Sequence, residues 1–222
     1  MDHPLSDTGS FPTWAADSAE IVKAHDRDIG YLIDLHRECF PKALLYQMPP
    51  GHGKRWWRFL LTSNAVEVYI LTCHGMRVGS AVLIIDPEEY ERQKRAHRVT
   101  LGGRLLGIMR HPRVLAGRLR PARYPALPLP ANGEPFAGIN AAEKNCWINP
   151  IAIAEGYRNK GFGRHVLTFL ESRSVAIGKK NISLHVNPRN PAALHFYQAC
   201  GYKRIGVISR GWVTFKKALS KR

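Results

Sequence analysis

The sequence predicts a mixed α/β domain, and three observations carry that prediction. Seven short apolar runs read as strands, four longer stretches repeat apolar residues at helical spacing, and the two kinds interleave as βα(α)ββ–insert–βαβαββ. A chain of 222 residues, 45% of them hydrophobic, fills one core in one domain and leaves room for a sizeable insertion.

The elements follow in order. Residues 1–16 are polar and read as a flexible tail ahead of a domain over 17–222. "AEIVKAH" (Ala19 to His25) reads as a strand. "DRDIGYLIDLHRECFP" follows as a helix, with Asp26 or Asp28 near its start and Pro41 ending it. Ile29, Leu32, Ile33 and His36 share one face, which makes His36 a packing residue before a ligand. "GKRWWRFLLTS" suits a second helix, and its Trp56–Trp57 pair reads as packing before a substrate platform. "AVEVYILT" and "RVGSAVLII" are two strands joined by the hairpin turn "CHGM".

From Asp86 to about Lys144 the pattern breaks into Arg-rich and then Pro-rich segments. A compact domain does not leave so long a stretch structureless without a function for it. Within it, Val99, Leu101, Leu105, Leu106, Ile108 and Met109 fit an apolar helical face that Gly102, Gly103 and Gly107 weaken. Order returns with the strand "CWINPIAIA". The next helix sets Phe162, Val166, Phe169, Leu170 and Ile177 on one side and stops at Gly178. "NISLHV" is a strand, and "NPAALHFYQACG" is a helix with Asn190 as N-cap, Pro191 first and Gly201 past its end. "KRIGVIS" and "WVTFKKAL" close the chain as strands.

Composition removes several classes. No apolar run reaches the length of a transmembrane helix, and "MDHPLSDTGSFPTW" lacks the hydrophobic core of a signal peptide. Cys39, Cys73, Cys146 and Cys200 lie far apart with no CxxC, the pattern of reduced thiols in the cytoplasm. His165, His185 and His195 are not spaced as a metal site, so no metal is expected. The formal charge of +16 attracts nucleic acid, anionic lipid or a polyanionic cofactor. Between Glu91 and Arg123 ten Lys or Arg residues accompany one acid, so a net nine of the charges lie there. That stretch has no interleaved aromatics and no groove-reading motif, which counts against nucleic acid.

The stretch "GYRNKGFGRHVLTFLE" (Gly156 to Glu171) sets glycines and bases against the start of a helix, where unpaired N–H groups receive anions. The dinucleotide pattern GxGxxG fails because position 166 is valine, and no Gly-Lys-Ser/Thr triplet exists. What remains is Arg-x-x-Gly-x-Gly at Arg158, Gly161 and Gly163. One strand later comes "NPRNPAALHFYQACGY" (Asn187 to Tyr202), with Asn190, Ala193, Tyr197, Gly201 and Tyr202 spaced as Asn-x-x-Ala-x-x-x-Tyr-x-x-x-Gly-Tyr. Together these resemble the GNAT superfamily, the acyl-CoA-dependent N-acetyltransferases. The likeness covers about residues 19–86 and 145–222 and leaves out the insert.

The resemblance implies a mostly antiparallel central sheet with helices on both faces and the basic insert (about 87–144) between the third and fourth strands. It implies acetyl-CoA, or another acyl-CoA, as cosubstrate and an amine as acceptor, joined by direct attack in a ternary complex. The backbone of Ile151, Ala152 and Ile153 would pair with the pantetheine arm as a neighbouring strand does. Amides of Asn159, Lys160, Gly161, Phe162, Gly163 and Arg164 would hold the pyrophosphate, aided by the Arg158, Lys160 and Arg164 side chains. Asn190 would hydrogen-bond the pantetheine, and the Tyr197 phenol would protonate the departing thiolate. From the residues alone, Asn190 also reads as a plain N-cap and Tyr197 as a core residue. Many relatives carry a Glu early in the strand before the loop. Here that strand has no acid, and neither Glu143 nor Glu155 is assigned the role of base.

The insert fits three readings: an element lying on anionic lipid, a binder of an anionic glycan, lipid-linked or carrier-linked acceptor, or a solvated flap or homodimer arm. The expected place is therefore the cytoplasm, or the inner face of the membrane where the insert touches it. A non-catalytic relative using its charge to bind nucleic acid or anionic lipid is the alternative. The complete loop and Tyr197 favour the enzyme.

Overall fold

The computed structural model describes residues 18–41, 43, 45, 51–98, 144–207 and 212–220. The expected tail and the apolar face at Val99 to Met109 lie outside them. Among the described residues, seven strands form one sheet in the order β1-β2-β3-β4-β5-β7-β6. These are β1 (Ala19–Lys23), β2 (Val66–Cys73), β3 (Met76–Ile84), β4 (Asn145–Ile153), β5 (Asn181–Val186), β6 (Lys203–Val207) and β7 (Val213–Ala218). Every neighbouring pair is antiparallel except β4 with β5. That pair is parallel because a helix carries the chain back across the sheet between the two strands. The β2–β3 hairpin turns on His74 and Gly75, both left-handed (φ 50° and 74°), as a two-residue hairpin turn needs.

Five described helices flank the sheet: α1 (Ile29–Cys39, after a 3-10 turn at Asp26–Asp28), α2 (His52–Thr62), α3 (Pro87–Arg98), α4 (Phe162–Ala176) and α5 (Pro191–Ala199). Strand alternation sorts the core onto two faces. Tyr69, Leu71, Cys146, Ile148, Ile182 and Leu184 pack with Phe162, Val166, Leu167 and Leu170 of α4. Val68, Ile70, Val82, Ile84 and Trp147 face Leu32 of α1, Trp57 and Leu60 of α2, and Tyr90 of α3. Because helices cover both faces, β2 and β3 are buried along almost their whole length, and both read as near-continuous apolar runs.

The insert begins as structure. Asp86 accepts a hydrogen bond from the Glu89 amide at 3.0 Å, Pro87 takes the first helical position, and Glu88 and Glu89 sit in the first turn. A cap, an N1 proline and acids at the positive end of the dipole together start α3. Tyr90, 2% exposed, then packs α3 onto α2. No described helix is long and apolar enough to cross a membrane.

Candidate active site

The sheet breaks at β4. Ala81 pairs with Ile151 and Leu83 with Ile148, so Asn149 and Pro150 together stand opposite Val82. Pro150 has no N–H to give a ladder, and a bulge is where a strand interior tolerates one. Beyond the bulge β4 departs from β5. Their parallel pairing ends at Ile148 with Leu184, while β5 continues against β7 as far as Val186 with Val213. Ala154 N donates to Val78 O at 3.0 Å, so alternation turns the backbone groups of Ala152 toward β3 and those of Ile151 and Ile153 into the gap. Ile151 and Ile153 thus turn backbone groups into the gap, and Ala152 turns its own toward β3.

The loop after β4 passes through a 3-10 turn (Glu155–Tyr157) and two left-handed residues, Asn159 (φ 61°) and Gly161 (φ 84°). Gly161 is the N-cap of α4 and supplies no side chain to the first-turn amides; glycine is the residue that takes this φ without steric cost. Phe162, 1% exposed, anchors that first turn in the core, so this residue offers a ligand its amide alone. A Cβ at Gly163 would meet Phe196 Cζ at 3.5 Å, an ordinary contact. The protein's own packing therefore does not demand glycine there. Lys160 leans over the Tyr157 ring, 5.7 Å from its centroid.

Arg158 lies elsewhere than the loop's amides. Its Nε donates to Ile153 O at 2.9 Å, and its Nη2 reaches Glu38 Oε1 at 3.3 Å. Glu38, at the end of α1, also accepts the Glu155 amide at 2.7 Å and so ties the loop to that helix. Half-buried Cys39 adds a contact of 3.4 Å to Ile153 O, with burial raising its thiol pKa. In this structure the guanidinium thus occupies the very carbonyl that the family resemblance assigns to the pantetheine.

A cavity of about 630 Å³ runs from the gap into the face of α1, α2 and α3. Ile151, Asn190 and Tyr197 line its gap end. Asn190 caps α5, its Oδ1 accepting from Ala193 N at 3.0 Å, so the plain capping reading is observed in a residue that also borders the cavity. Tyr197 packs edge-on to Phe196 and Tyr202, and burial raises its phenol pKa, keeping the hydroxyl protonated. At the other end, His36 Nε2 lies 2.9 Å from Ser80 Oγ and its ring abuts Trp57. Burial lowers its pKa to about 3, so it is a neutral packing residue, as its helical spacing predicts.

Several lining residues carry no signal in the motifs. His185 follows the last β4–β5 pair, its Nδ1 3.0 Å from Thr214 Oγ1 and its ring edge-on to Trp147 at 4.4 Å. Glu91 and Lys94, one turn apart on α3, pair at 2.5 Å. Trp212 lies immediately before β7. The Asp-Pro-Glu-Glu run at residue 86 is a helix-start signal that would have found α3; nothing in the sequence brings Trp212 and His185 together. Trp57 is core, as the packing reading of the Trp56–Trp57 pair expects, but both indoles also face the cavity.

Comparison with known proteins agrees with this geometry. The model of the acetyltransferase (GNAT) family matches residues 30–202, across the insert. An uncharacterised N-acetyltransferase of Bacillus subtilis, YdgE, is 29% identical over 68 residues, 31% of this chain and 43% of that protein. The chain thus spans under half the length of this curated relative. Among solved structures, an acetyltransferase from Thermus thermophilus superposes with a TM-score of 0.56 at 15% identity, covering 91% of this chain and 97% of that one. The spermidine/spermine N-acetyltransferase SpeG of Vibrio cholerae gives 0.54 at 14% identity, covering 92% and 94%. At such identities the likeness shows the fold.

Proposed function

The chain belongs to the acetyltransferase (GNAT) family, and from that premise we propose that it transfers an acetyl group from acetyl-CoA to a primary amine by direct attack in a ternary complex. The observation that carries the reading is the break after Ile148, which opens a strand edge between the uncapped N-terminus of α4 and the cavity bordered by Tyr197. Acetyl-CoA supplies an activated thioester. The chain's residues do the rest. Amides of the first turn of α4 receive the pyrophosphate, with Lys160 and Arg164 adding charge. Arg158 would leave Ile153 O for the phosphates as the pantetheine takes that carbonyl.

The acceptor nitrogen forms the C–N bond as the C–S bond breaks. Tyr197 donates its phenolic proton to the departing sulfur, and solvent returns the proton after product leaves; the phenol is protonated at neutral pH and so available as the donor. The ammonium proton needs a second group. His36 is held neutral by burial and engaged by Ser80, and Glu91 is paired with Lys94. His185, which borders the cavity with its Nδ1 3.0 Å from Thr214 Oγ1, is the side chain we propose for that proton.

The experiment is Tyr197→Phe. Calorimetric affinity for acetyl-CoA should stay as in the wild type, while kcat falls by about 10²-fold or more, the usual worth of a general acid. An unchanged kcat removes Tyr197 from that role. No heat with acetyl-CoA for either protein removes the reading itself.

A further inference from the structure

Four of the chain's five tryptophans, Trp56, Trp57, Trp147 and Trp212, line the cavity described above. Folding accounts for two of them. Trp57 and Trp147 are 1% and 2% exposed and belong to the core between the sheet and α1, α2 and α3. It does not account for Trp212, which is 40% exposed and packs into neither core cluster. Trp56, half-buried against Phe59, shares the cavity wall with it. Large indole faces kept at a cavity wall, one of them outside the core, suit a ring-bearing ligand.

The charge of the lining narrows the ligand further. Among the described residues its charged members are Glu91, Lys94 and Arg189. Glu91 is matched by Lys94 at 2.5 Å, and Arg189 makes no ion pair with a described residue. The balance, two bases against one acid, is positive, within a chain of +16. A polyamine would bring several ammonium groups to a lining whose one carboxylate among the described residues is already neutralised. The fold is shared with a spermidine/spermine N-acetyltransferase, but this lining has the opposite charge to the one a polycation needs.

We infer that the acceptor is a primary amine on a ring-bearing scaffold with one anionic group, its ring against Trp56 and Trp212 and its anion at Arg189. The inference rests on the acetyltransferase reading of the same cavity. An aromatic amino acid and an aminosugar phosphate both have this chemistry, since indole faces stack on aromatic rings and on the apolar faces of sugars alike.

The test uses the full chain, with acetyl-CoA binding measured by calorimetry and kcat/KM measured on a panel. Tryptophan carries ring and anion, glucosamine phosphate sugar ring and anion, tryptamine ring alone, alanine anion alone, and spermidine neither. Tryptophan or glucosamine phosphate should exceed the other three by about tenfold or more, and which of them leads separates the two sources. Trp212→Ala should raise KM for the leading acceptor about tenfold without changing acetyl-CoA affinity. Arg189→Gln should cut the preference for the anionic ring amine over tryptamine. Spermidine as the best acceptor overturns the inference, as does acetyl-CoA binding with no acetylation of either anionic ring amine. Absence of acetyl-CoA binding instead overturns the reading beneath it.

Discussion

Replacing Glu67 by glutamine tests how firmly α4 is tied to the sheet. Glu67 stands on β2, 7% exposed, and its carboxylate accepts from Arg173 of α4 at both oxygens, at 2.9 and 2.6 Å. The Tyr69 hydroxyl adds a bond of 2.6 Å and Lys23 one of 3.2 Å. The Arg173 hydrogen bonds, helped by Tyr69 and Lys23 and opposed by burial, hold this carboxyl at about 2 against an ordinary 4.5. A folded value below the unfolded one gives stability that is complete above the unfolded value and lost as pH falls through the folded one. A gap of about 2.5 pH units is worth about 3 kcal/mol at pH ~7, about 1.4 at pH ~3 and about 0.4 at pH ~2. Urea unfolding of wild type and Glu67→Gln, compared at each pH, isolates this carboxylate from the others. The variant should be weaker by about 3 kcal/mol at neutral pH, and the difference should shrink by about half at pH ~3. A difference that stays constant over that range would refute the reasoning, because the loss would then owe nothing to ionisation against Arg173.

Gly161→Asp places a carboxylate beside the amides assigned to the pyrophosphate, at a φ of 84° that aspartate tolerates for about 1 kcal/mol; calorimetry should show CoA binding lost while unfolding remains cooperative. His185→Gln should lower kcat about 10²-fold with acetyl-CoA affinity intact, and the deficit should narrow as pH rises and more of the acceptor amine is already neutral, read from pH–rate profiles of both proteins. Gly79→Val should destabilise the fold by about 1–3 kcal/mol in urea, since a Cβ there would stand 2.9 Å from Ala152 O and 2.8 Å from Ile153 Cδ1 where β3 pairs with β4.

The sequence made the elements legible where one force decided them. Asn190, Pro191 and Gly201 mark α5 because capping is local, and the runs in β2 and β3 mark strands because both faces are covered. His36 was readable as packing from spacing alone. The site was legible only as residue types. Arg158 follows the motif, but its guanidinium turns toward Glu38, 120 positions away, which no spacing encodes. His185 meets Thr214 through the pairing of β5 with β7, and Trp212 arrives on the same pairing. Contacts set by register between distant strands leave no local trace. Pro150 did leave one: a proline inside an apolar strand signals a bulge, and the β4–β5 pairing ends just before it, at Ile148.

The end of the β4–β5 pairing at Ile148 explains why the two halves of the proposed reaction meet. The end of α4 proposed to receive the pyrophosphate belongs to one face of the sheet and the tryptophan-lined cavity to the other. An unbroken β4–β5 ladder would seal one from the other, since paired backbone leaves no room for an arm to cross. With the ladder ended at Ile148, the space between strands becomes a passage whose walls are Ile151 on one side and Val186 and Asn187 on the other. Tyr197 and His185 border that passage, one from α5 and one from β5. The proton donor and acceptor proposed above thus share one opening, the arrangement that group transfer needs. The fold reaches it by failing to pair two strands.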